Sequence, residues 1–194
     1  MGFLYDALIF VHILTVVFMS APLYNLIIVS ERAKFGKAPI QVDRYFENLI
    51  RGNTSRCYAF QLTALVTGIL LLAVGELPLS SMFTNWAILG KTLILLALTG
   101  LLSVIHFHIQ PSIDEHLSQV AGDVIPPEIT GKLLPLRLLR KRMATLCLFL
   151  VATAIVLALQ IHSPFHPALN LLLIGFIALF AWLVYKRGVP RGWI

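Results

Sequence analysis

The chain has 194 residues, 58% hydrophobic and 12% charged, with a mean hydropathy of +0.87 and 15 Lys and Arg against 9 Asp and Glu. Soluble domains carry roughly 25% charged residues, so this composition excludes a water-soluble enzyme, a disordered chain and a nucleic-acid binder with a continuous basic surface. Two cysteines are too few for a disulfide scaffold. The length suits a single all-α membrane domain, 1–194, of five spans of about 20 residues each with their connections.

Taken in order, the first apolar run has no charge over 7–30, the second over 57–75, the fourth over 143–161 and the fifth over 168–185. The third, 83–109, is interrupted only by Lys91. Backbone groups in lipid must pair internally, so each run is expected to be a helix, with spans at about 4–30, 57–75, 83–109, 143–161 and 168–185. The first run lacks a basic leader and is too long for a signal peptide, so it is expected to remain in the mature protein. Asp6 stands where a myristoylation signal needs Ser or Thr.

Between the first two spans, Val42, Tyr45, Phe46, Leu49 and Ile50 recur at helical spacing, with Asp43, Arg44, Glu47, Asn48 and Arg51 on the other face. This predicts an amphipathic helix over about 40–51, lying on the membrane or packed on a partner subunit. The third connection contains Pro111, Gly122, Pro126, Pro127, Gly131 and Pro135, which predict irregular chain, with a basic and apolar lead into span four over 133–143.

Basic residues set the expected orientation. Arg32, Lys34, Lys37, Arg44, Arg51 and Arg56 follow span one; Lys132, Arg137, Arg140, Lys141 and Arg142 precede span four; Lys186, Arg187 and Arg191 follow span five. Five spans put all of them on one side, which the positive-inside rule makes cytoplasmic, with the N-terminus outside and the C-terminus inside. The net charge of +6 then reflects topology and anionic lipid, and implies no nucleic-acid partner. An integral protein of a bacterial cytoplasmic (inner) membrane is expected. Cys57 and Cys147 fall toward the cytoplasmic ends of their spans, match no zinc spacing and read as small apolar fillers.

Polar residues inside the membrane are the functional candidates, because each is costly there. His12 and Lys91 fall at similar depth in spans one and three, about 12–14 Å from the outer end, and form the candidate cofactor-binding pair, with His12 as the metal ligand. Thr15, one turn on, could join the same polar seam. Asp6, Glu76, His162 and His166 fall nearer the outer surface, and His106, His108 and His116 nearer the inner one. Residues two apart on a helix point in nearly opposite directions, so His106 and His108 cannot serve one site. His106 follows Lys91 by 15 residues, about 22 Å of helix, so it cannot be the second axial ligand of a haem held by His12. No nucleotide-binding loop, nucleophile triad or carboxylate pair is visible.

The segments LYDALIFVHILTVVFM and NWAILGKTLILLALTGLLSVIHFH, with an early His in span one and a Trp and Lys opening span three, resemble a superfamily of small membrane proteins. It includes the HemJ-type protoporphyrinogen oxidases and the copper-resistance protein D group. By this resemblance, over roughly residues 1–161, His12 corresponds to the histidine linked to b-type haem and Lys91 to the family lysine. The resemblance implies a haem b protein with redox work on a porphyrin or in quinone-linked electron transfer, and makes a membrane oxidoreductase conceivable. Two alternatives stand beside it. One is a non-enzymatic subunit of a membrane complex; the other is copper handling through His12, His162, His166 and Met82.

Overall fold

The computed structural model describes residues 2–30 and 39–187. These form α1 (Phe3–Ser30), α2 (Ile40–Val74), α3 (Ser81–Thr84), α4 (Trp86–Val104), a π-helical turn (Ile105–Ile109), α5 (Gln110–Ser118), α6 (Pro127–His162) and α7 (Pro167–Arg187). Among the described residues there is no strand. Five helical segments are long and apolar enough to cross a membrane, the third running from Trp86 to Ser118 through the π turn.

Four of these form a closed ring, in which α1 packs on α2, α2 on α4, α4 on α6, and α6 back on α1. Helices α1 and α4 therefore face each other across one diagonal and α2 and α6 across the other. Helix α7 packs on α6 from outside. The centre is apolar: Met19 and Leu23 of α1, Leu98 of α4, and Cys147 and Val151 of α6 are buried together. A second cluster near the other end gathers Ile105, Ile109, Ile113, Leu117 and Leu133 with Ile40.

Most of each apolar run lies inside these helices, and α2 and α6 run well beyond their charge-free stretches. The 40–51 segment is helical as expected, yet it continues unbroken into span two, and α2 has 35 residues, about 52 Å. Its buried stripe is mixed, with Asp43 and Glu47 beside Ile40 and Ile50, while Arg44, Asn48 and Arg51 stay exposed. Asp43 and Glu47 face inward, while Val42, Tyr45 and Leu49 are exposed. The burial of the two carboxylates has a cause on another helix: Arg137 and Arg140 on α6 meet them, and paired charges tolerate burial that lone ones do not.

The third connection is also more regular than its prolines suggest. Pro111 carries no N–H and its ring crowds the carbonyl four residues back. The helix widens by one residue just before it, with the Gln110 N–H bonding the Ile105 carbonyl five residues back. Helix then resumes to Ser118. Pro127 opens α6 at a position where a missing N–H costs nothing, and Gly131 and Pro135 lie within that helix. Only 119–126 is non-helical.

Candidate functional site

At the end of the bundle where α1 begins, the His12 Nδ1 lies 2.8 Å from the Thr67 hydroxyl oxygen of α2. The Thr67 hydroxyl has a single proton, and its Oγ1 lies 2.7 Å from the Thr63 carbonyl and 3.3 Å from that of Ala64. With that proton directed to its own helix, the Thr67 oxygen can accept from His12, whose ring also hydrogen-bonds the Ala64 backbone; the tautomer that donates through Nδ1 leaves Nε2 unprotonated. Gly68 lies beside the ring, where a Cβ would be in ordinary contact, 3.5 Å from His12 Cε1. His12 is half-buried, so one edge remains open to the surroundings of the bundle.

Lys91 of α4 is also half-buried and within electrostatic reach of His12. It lies nearer its helix end than the 83–109 span implied, because Ser81–Thr84 forms a separate short helix. Asn85 then starts α4 by accepting from the Ala87 and Ile88 amides, at 3.0 and 3.3 Å. Thr15 does not extend the seam between helices; its hydroxyl bonds the Val11 carbonyl of its own helix at 2.7 Å.

The remaining sequence candidates are dispersed. Asp6 and Glu76 are exposed near the start of α1 and the end of α2. The His166 Nδ1 accepts from the Ala168 amide at 3.3 Å and so serves the start of α7. The side chain of His162 is outside the described residues, as are Arg32, Lys34, Lys37 and Arg191. Met82 sits in the short α3. His106 packs edge-on against Tyr58 with ring centroids 5.8 Å apart, and His108 is exposed. Among the described residues no three His, Cys, Asp or Glu side chains cluster to hold a metal ion.

At the opposite end lies a polar assembly that residue-by-residue reading missed. Arg140 is fully buried and Glu47 is 2% exposed. The two Arg140 Nη atoms donate to the Glu47 carboxylate at 2.5 and 3.1 Å. Arg137 bridges Asp43 and Glu47. Gln110, turned inward by the π turn, accepts from Arg140 at 2.6 Å and donates to Glu47 at 3.1 Å. Asp114 links it to Arg51, 2.5 Å away, at the surface. The signal lay in spacing: carboxylates four apart on one amphipathic helix and arginines three apart on another each form a one-faced pair. These long side chains close the α2–α6 diagonal.

Fold and composition together define the chain as a polytopic, all-α integral membrane protein. No family profile, curated protein or solved structure matches it.

Proposed function

We propose that the chain binds a redox-active, oxygen-bearing ligand of the quinone class inside the membrane, at His12 and Lys91. The observation that carries this reading is the His12–Thr67 contact, which holds the imidazole and leaves its Nε2 lone pair available. Nε2 accepts from a quinol hydroxyl, and the Lys91 amine donates to a ring oxygen of the oxidised form. Because His12 is half-buried, a ligand dissolved in lipid reaches it from the side. The end carrying Arg44, Arg51, Arg56, Lys132, Arg142 and Lys186 is assigned to the cytoplasmic face of a bacterial inner membrane by its basic residues, which puts His12 in the outer half.

A b-type haem is the second reading, favoured by the same lone pair. An iron-ligating imidazole characteristically donates its other N–H to a neighbouring group, as His12 does to Thr67. The donor therefore fits. Neither the cavity beside Met19 nor the one beside Tyr5 is lined by His12, so haem, like a quinone, would approach the ring from the lipid side. Haem would supply one-electron chemistry if bound, and no step is assigned to it.

Quinone titration and absorption spectroscopy on the purified protein distinguish these readings. A short-chain quinone should bind the wild type, and His12→Ala and Lys91→Met should each weaken it. A b-type reduced spectrum lost in His12→Ala would instead establish haem. Neither quinone binding nor pigment in folded protein would overturn both and leave a structural subunit of a membrane complex.

A further inference from the structure

The unused chemistry of the molecule lies in its apolar centre. Its two cysteines, 90 residues apart in the chain, come from α2 and α6 to line one cavity, and Met19 from α1 lines it too. All three residues are buried, at 5% exposure or less. Cys57 is within electrostatic reach of Cys147, and Met19 and Cys147 belong to one packed cluster.

Pro22, whose ring leaves the Phe18 carbonyl without its helical partner, lines the cavity with Met19. The volume, about 30 Å³, exceeds the roughly 10–15 Å³ that one water requires, so a bare monovalent ion fits where a porphyrin or quinone does not. Asn53, half-buried, and the buried Thr54 and Gln61 also line the cavity.

We propose that Met19, Cys57 and Cys147 form a binding site for a soft monovalent metal ion, copper(I) being the physiological case. Thiolate and thioether sulfurs select copper(I) over harder ions. Two thiols and a thioether suit its low coordination, and a thioether is not among the ligands of tetrahedral zinc. Charge balance also favours it in an apolar interior: Cu⁺ displaces one thiol proton to solvent, the new thiolate cancels the charge of the ion, and the other thiol and the thioether bind as neutral donors. No electron is transferred. The site uses none of the histidines that sequence alone offered for copper, and it is independent of His12 and Lys91.

The test is an anaerobic titration of the reduced, detergent-purified full chain with copper(I), in competition with a chromogenic copper(I) chelator. The wild type should hold one equivalent and gain an ultraviolet sulfur-to-copper charge-transfer band. Zinc(II) should not compete. Cys57→Ser with Cys147→Ser should abolish both signals. Met19→Leu, close in shape and safest for folding, should weaken binding by at least about tenfold, the scale of lesser changes around metal sites. Elution as the native species confirms that each variant is folded. No copper retained by the wild type, or equal retention by folded Met19→Leu and the double variant, overturns the proposal. Rapid closure of a Cys57–Cys147 disulfide with no copper binding overturns it as well.

Discussion

Replacing Glu47 with Ala removes the acceptor of both Arg140 Nη contacts and one of the two carboxylates that meet Arg137. Arg140 is fully buried and cannot reach water without opening the α2–α6 diagonal. What remains to it is the Gln110 oxygen at 2.6 Å, a neutral acceptor, while Arg137 keeps Asp43. Breaking a buried pair by removing one partner costs about 3–5 kcal/mol, and the surviving Gln110 contact sets the expectation near the lower figure. Replacing both partners, Glu47→Leu with Arg140→Met, should recover most of the loss, because an apolar pair of similar volume leaves no orphaned charge. Gln110 then still donates to Asp114 at 3.2 Å. Unfolding is measured by titrating dodecyl sulfate into mixed micelles and following the labelling of Cys57 and Cys147, both buried in the folded chain. A loss below about 1 kcal/mol for Glu47→Ala, the range of exposed pairs, would refute the claim that this cluster is shielded from water. A double variant no better than the single would refute the claim that the orphaned charge is the cause.

Three further outcomes are expected. Gly68→Ala should be tolerated, since its Cβ would sit in ordinary contact with His12 at 3.5 Å. Gly68→Leu should drive the ring off Thr67 and abolish ligand binding at His12 in protein that still elutes as the native species. Asn85→Ala should cost about 1 kcal/mol in the same unfolding assay, because it removes the cap at the start of α4; no change would mean that α3 and not Asn85 fixes that start. A reporter active only outside the cytoplasm should signal when fused in the α6–α7 turn and stay silent after Ile194, and the opposite pattern would invert the membrane assignment.

Charge-free runs made the cores of the five spans legible, because length and apolarity alone decide what can cross lipid. The helix ends were not, since beyond the apolar run the deciding contacts come from other helices. The 40–51 segment shows this best: its pattern is correctly helical, but the burial of Asp43 and Glu47 depends on Arg137 and Arg140, some 90 residues away. The π turn follows from Pro111, yet a proline alone does not say whether a helix ends, kinks or widens. His12 and Lys91 stood out because polar groups are rare in such segments. Their setting did not: neither Thr67 as the partner nor Gly68 as the neighbour can be picked from a run in which Thr and Gly are common. The cysteines looked inert singly, and only the packing of the helices brings both residues to one cavity.

The central claim is that His12 carries its proton on Nδ1 and presents a free Nε2 lone pair. Solid-state nitrogen-15 NMR of histidine-labelled protein in lipid bilayers, with His12→Ala to assign the signal, tests it directly. The account predicts a protonated-type resonance for Nδ1 and an unprotonated-type resonance for Nε2, the latter moving when a quinol is added. A proton on Nε2, or an Nε2 signal unmoved by ligands that bind the wild type and not His12→Ala, would contradict it.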